Sequence, residues 1–69
     1  MRVSDQVVQK LQALIEQQNL KQGDRLPAER QLATSLGISR PSLREAIQQL
    51  ISLGILSSRR GDGTYIQQF

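Results

Sequence analysis

Arg40 and Arg44 stand four residues apart in a stretch of helical periodicity, with Ser39 and Ser42 beside them in its first turn and Pro41 between. At that spacing both guanidinium groups leave the same side of a helix. A guanidinium is a planar fork of N–H donors that matches a phosphate or the N7/O6 edge of guanine, and first-turn hydroxyls suit phosphate oxygens. Arg40, Pro41, Arg44 and Gln48 fall on one arc of a helical wheel, outside the apolar stripe of Leu43, Ala46, Ile47, Leu50 and Leu53. The chemistry open to such a cluster is recognition of a polyanion with readable edges. The spacing predicts that it acts from the N-terminal end of a helix entering a DNA major groove.

Further arginines support that reading. Arg30 projects from the preceding helical stretch, away from Leu32 and Leu36, where it suits a phosphate or the groove edge. Arg59 and Arg60 run up to Gly61-Asp62-Gly63, a tip of minimal bulk. A ribbon with such cationic flanks can enter a minor groove, whose negative potential attracts arginine. No Lys-Ser or Lys-Thr and no helix follows the glycines, so they do not form a nucleotide-binding loop. Glu29 has two readings: it meets the dipole of its own helix, or it pairs with a recognition-helix arginine, Arg44, and fixes its pose. Tyr65 and Phe69 are the only aromatics, too few for a base-stacking platform, and Tyr65 is expected to pack in the hairpin.

Positioning this cluster takes three helices and a ribbon. Ser4 is expected to cap a first helix whose stripe is Val7, Val8, Leu11, Leu14 and Ile15, fading around Gln17 to Asn19. Lys21 to Asp24 reads as a turn, and Arg25-Leu26 as a short extended piece ahead of Pro27. Pro27 is expected to open a second helix with Leu32, Ala33 and Leu36 inward, closed by Gly37. Ala33 is small enough for another helix to cross it closely. Ser39 caps the third helix, Pro41 is tolerated in its first turn, and Gly54 ends it. Ile55 to Arg60 and Thr64 to Ile66 then read as two strands about a glycine-rich turn. The expected fold is mainly α with a small β-hairpin, a winged helix-turn-helix over residues 1–69.

Composition narrows the function classes. A chain of 69 residues has room for one small domain. It has no Cys and no His, which removes disulfides, thiolate or imidazole metal sites, and Ser–His or Cys–His catalysis. No cofactor is expected. No apolar run is long enough to span a bilayer and no signal-peptide core follows Met1, so no membrane partner and a cytoplasmic location are expected. The net charge of +3 resides entirely from Arg25 onward, where every cation is arginine.

Three strings carry a family resemblance: Leu26-Pro27-Ala28-Glu29-Arg30-Gln31-Leu32-Ala33, Ser39-Arg40-Pro41-Ser42-Leu43-Arg44-Glu45-Ala46, and Arg59-Arg60-Gly61-Asp62-Gly63-Thr64-Tyr65-Ile66. In register, they resemble the N-terminal domain of GntR-family transcription regulators, in the FadR-type branch, near the regulators of pyruvate and lactate metabolism. The resemblance implies DNA contacts at Arg30, Ser39, Arg40, Pro41, Arg44, Arg60 and Gly61, with the helical arginines at the major groove and the wing tip at the minor. It also implies a double-stranded palindromic operator, a homodimer in the full-length protein, and repression governed by a small organic acid bound to a C-terminal domain that these residues do not encode. Pro41 departs from the Thr of some members and Ala28 from a frequent Ser, while Asp62 places an acid at the tip.

The main rival is a winged helix that docks a protein instead of DNA. Arg40 and Arg44 on the exposed face of the third helix argue against it, and Ile51 near that face gives it some room. An enzyme finds no converging acid pair, and an RNA-binding module no aromatic sheet face or glycine-loop clamp.

Overall fold

The computed structural model describes the backbone of residues 3–68 and the side chains of residues 5–68, so Phe69 lies outside the described residues. Three helices, α1 (Val3–Gln17), α2 (Glu29–Leu36) and α3 (Arg40–Ser52), precede two strands, β1 (Leu56–Arg59) and β2 (Gly63–Ile66). The strands pair antiparallel, Leu56 opposite Ile66 and Arg59 opposite Gly63. This is the winged helix expected from the periodicities.

Each helix stops in the same way. The residue after the last turn takes a left-handed conformation, and its own amide and the next one fold back onto orphan carbonyls. In α2, Gly37 (φ 67°, ψ 37°) donates to the Thr34 carbonyl, and Ile38 donates to that of Ala33. Glycine fits there because a Cβ would be strained at that φ. Asn19 and Leu20 close α1 on the Glu16 and Ile15 carbonyls, and Gly54 and Ile55 close α3 on those of Ile51 and Leu50. The apolar residue after each turn, Leu20, Ile38 or Ile55, then packs against the core. One capping device thus ends each helix and aims the chain that leaves it.

The core gathers Leu11 and Ile15 from α1, Leu26, Leu32 and Ala33 around α2, Leu43, Ile47 and Leu50 from α3, and Leu56 and Ile66 from the ribbon. α3 lies across α1, α2 and β1, so burial of its inner face fixes the direction of its outer one. Truncating a fully buried Leu here is expected to cost about 2–5 kcal/mol.

Several boundaries differ from expectation. Ser4 is already helical and lies inside α1, because the helix begins at Val3. α2 begins at Glu29, with Ala28 as a cap that offers no side-chain acceptor, so Pro27 precedes the helix. Leu53 is 69 % exposed where the apolar stripe placed it inside, because α3 has already reached its C-cap there. The ribbon turn is Arg60 to Asp62, and Gly63 opens β2. The extended piece before Pro27 pairs with the outer edge of β2: Arg25 bridges Tyr65, Leu26 donates to the Thr64 carbonyl at 2.8 Å, and Ile66 donates to that of Asp24 at 2.8 Å.

Candidate nucleic-acid interface

At the start of α3, Ser39 accepts a hydrogen bond from the Ser42 amide at 3.3 Å, and its own hydroxyl donates to Ser42 Oγ at 2.9 Å. Pro41 sits in the first turn without an N–H to lose. The Ser42 amide is therefore engaged within the turn, and an anion there would meet the two hydroxyls and Arg40. Ser39, Arg40, Pro41 and Arg44 are exposed, and Ser42 is half-buried.

Glu29, the first residue of α2, reaches across to α3 and binds both arginines. Arg40 Nε donates to Glu29 Oε1 at 2.9 Å, and Arg44 Nε donates to Oε1 at 3.0 Å and Oε2 at 3.1 Å. Because Nε makes these bonds, the two terminal NH2 groups of each guanidinium make no hydrogen bond among the described residues. Those groups form the fork that matches guanine O6 and N7. The Arg44 hydrogen bond, then that from Arg40, holds the Glu29 carboxyl below its ordinary value of 4.5. Sequence reasoning offered the Arg44 pairing as one of two readings of Glu29 and missed Arg40, whose partner is eleven residues away on another helix.

Arg30 is exposed on α2, and its side chain makes no hydrogen bond or ion pair among the described residues. It lines a shallow concavity with Pro27, Gln31, Thr34 and Ser35, separate from the cleft that Glu29 and Arg44 share with Gln48, Ser58 and Thr64. The structure therefore does not bring Arg30 into the α3 cluster, a position consistent with the groove edge.

The wing has its own bonding. A turn from Arg59 to Asp62, closed by the Asp62 amide donating to the Arg59 carbonyl at 3.0 Å, leaves Arg60 and Gly61 exposed at the tip. The Arg59 guanidinium lies over the Tyr65 ring, 4.2 Å from its centroid, and Tyr65 donates its phenolic proton to Asp62 Oδ2 at 2.6 Å. Asp62 is thus occupied by a wing partner instead of standing free at the tip. Arg25, which sequence reasoning left unassigned, crosses to the wing and donates from Nη2 to the Asp62 carbonyl. A cation two residues ahead of a Pro carries no local mark of a partner 37 residues on.

Residues 3–66 match the family described as "Bacterial regulatory proteins, gntR family". The chain belongs to the GntR family. Among its relatives, a protein of Escherichia coli (strain K12) described as an L-lactate dehydrogenase operon regulatory protein is 58 % identical over 66 residues, covering 96 % of this chain and 26 % of that protein. The mannosyl-D-glycerate transport/metabolism system repressor MngR of the same organism is 40 % identical over 63 residues, covering 91 % of this chain and 26 % of that protein. The chain therefore spans about a quarter of the length of these curated relatives. A solved structure of the DNA-binding domain of AraR in complex with operator ORX1 superposes with a TM-score of 0.83 at 32 % identity, covering 96 % of this chain and 80 % of that one. The winged helix of this GntR domain is thus one that also occurs on an operator. No helix among the described residues is long and apolar enough to cross a membrane.

Proposed function

We propose that this GntR domain is the sequence-specific DNA-binding module of a transcription regulator, working as a repressor. α3 enters the major groove, where Arg40 and Arg44 read base edges and Ser39, Pro41 and Ser42 line the entry. Arg30 contacts the groove edge, and the wing carries Arg59, Arg60 and Gly61 to the adjacent minor groove. The observation that carries this reading is the shared Glu29 carboxylate, which holds two arginines by Nε and leaves the terminal NH2 groups of both without a hydrogen-bond partner among the described residues. The operator complex of the AraR domain and the repressor name of MngR support it.

In a regulator of the relatives' length, two such domains would sit on the halves of a palindrome about one helical turn apart. A small organic acid bound elsewhere in the protein would govern their spacing, and the whole would act in the cytoplasm. A single domain is expected to bind weakly, because linkage of two half-site contacts is what raises effective concentration.

Fluorescence anisotropy of this chain against a duplex selected from random DNA, over a salt series, tests the proposal. Wild type should prefer the selected duplex and lose affinity steeply with salt, Arg40→Ala should abolish the preference, and Lys10→Ala should change little. Equal binding to selected and random duplex by wild type would overturn it.

A further inference from the structure

Arg25 belongs to neither the helix-turn-helix nor the ribbon, yet its side chain lies across the wing. Its backbone is anchored beside β2 by the bridge to Tyr65, and Nη2 donates to the carbonyl of Asp62, the last residue of the tip turn. The guanidinium rests over Gly63: a Cβ built there would lie 2.7 Å from Arg25 Nε and 3.2 Å from Nη2. Glycine at 63 therefore leaves the room that the guanidinium occupies. On the same residue, Asp62, the carboxylate is held by the Tyr65 hydroxyl. The turn carrying Arg60 and Gly61 is thus fastened at its far end through both the main chain and the side chain of Asp62. A two-residue tip on a short two-stranded ribbon has little packing of its own to hold it.

We infer that Arg25 is a positioning residue for the wing: it fastens the Arg60-Gly61 tip in the pose that enters the minor groove, and does so through the Asp62 carbonyl without contacting DNA. This rests on the wing-in-groove reading above. A pre-ordered tip loses less conformational freedom on binding, so removal of the fastening weakens the complex although no DNA contact is lost. The same logic distinguishes Arg25 from a phosphate contact, which would show as one fewer released counterion.

The test is a double-mutant cycle of Arg25→Ala and Arg60→Ala on the selected duplex, with salt slopes and melting temperatures for each protein. Arg60→Ala alone tests the wing reading, and unchanged affinity would overturn both that reading and this inference. Where Arg60→Ala weakens binding, Arg25→Ala is expected to weaken wild type and add little on top of Arg60→Ala. The expected coupling is about threefold or more, within the range found for residues acting through one unit. Its salt slope should equal that of wild type. Equal losses in both backgrounds, with the slope reduced by about one, would make Arg25 a direct phosphate contact and overturn the inference. Unchanged affinity in Arg25→Ala would overturn it too. Should Arg25→Ala fail to fold, Arg25→Lys keeps the charge and a single donor nitrogen but not the planar fork beside Gly63. A loss in Arg25→Lys that vanishes on Arg60→Ala supports positioning, and wild-type affinity in Arg25→Lys overturns it.

Discussion

The helix-turn-helix and the wing both hold arginines against a partner, by different means. In the helix pair one carboxylate, Glu29, takes the Nε of Arg40 and Arg44 and leaves their terminal NH2 groups unbonded among the described residues. In the wing the partners are a carbonyl and an aromatic ring: Arg25 donates Nη2 to the Asp62 carbonyl, and the Arg59 guanidinium lies over the Tyr65 ring. A fork held by Nε remains free for bidentate contact, whereas one whose terminal nitrogen is engaged is already partly used. The arrangement suits base reading by the helix and shape and potential sensing by the wing. A minor groove offers a degenerate edge pattern and asks for a fitted cation, not a specific fork.

The sharpest way to break this comparison is Arg44→Lys. Lysine keeps the charge but has no fork, so discrimination between operator and random duplex should fall by about 1–3 kcal/mol while the salt slope stays nearly constant. The matching change in the wing, Arg60→Lys, should alter discrimination far less. Competition anisotropy with both duplexes reads the two losses side by side, and equal losses would end the distinction.

A smaller effect separates folding from contact at the start of α3. Ser39 already accepts from the Ser42 amide, so Ser39→Ala should lower stability by about 1 kcal/mol as a lost cap. Ser39→Asp keeps the cap and adds negative charge beside the groove, so its melting temperature should match wild type while its DNA affinity drops. Thermal melts and anisotropy on the two variants check this. If Ser39→Asp binds as wild type, Ser39 acts on the fold alone.

Smaller still, on stability, is Glu29→Gln. The carboxylate pairs with arginines whose side chains are 55 % and 61 % exposed, so solvent screening keeps the pairs to a few tenths of a kcal/mol. Operator preference should nonetheless fall, because an amide oxygen holds the two guanidinium groups less firmly than a carboxylate does. A melting shift with preference unchanged would assign Glu29 to its helix dipole instead.

The two regions also differ in how far they could be read from residues alone. The α3 cluster was legible because Arg40 and Arg44 share a period with Leu43, Ala46 and Ile47, whose burial fixes the outward face. Gly37 and Ser39 mark the turn with residues whose backbone or side-chain chemistry is needed there. The ribbon was legible as strands, but its bounds were off because Gly63 serves β2 and not the turn. The fastening of the wing was not legible. Arg25 reaches it only because Leu26 is buried and the extended piece pairs with β2, a tertiary outcome without periodic trace. Leu53 failed for the opposite reason: its spacing was right, but the helix ended before the pattern did.

The finest distinction between the two regions is the sign of their pH dependence. Glu29 is held below its ordinary 4.5, first by the Arg44 hydrogen bond and then by that of Arg40. A depressed acid lends stability that is present above its unfolded value and is lost as pH falls through the folded one. The helix clamp should therefore loosen only on the acid side of 4.5, and Arg44→Ala should raise the Glu29 midpoint more than Arg40→Ala does. Carboxyl carbon shifts in an NMR titration would show the order. Tyr65 is displaced the other way, above its ordinary 10.0, chiefly because its phenolic proton is donated to Asp62. A raised acid lends stability that is present below the unfolded value and is lost as pH climbs through the folded one. The wing should thus loosen at the alkaline end. Tyr65 is the sole tyrosine, so near-ultraviolet absorbance of tyrosinate reports it alone. Asp62→Asn should return its midpoint toward 10.0, since an amide oxygen attracts the phenolic proton less than a carboxylate does. A midpoint unmoved by Asp62→Asn would mean that the phenol does not hold the tip, leaving Arg25 as the fastening for which the wing's fit to a groove must answer.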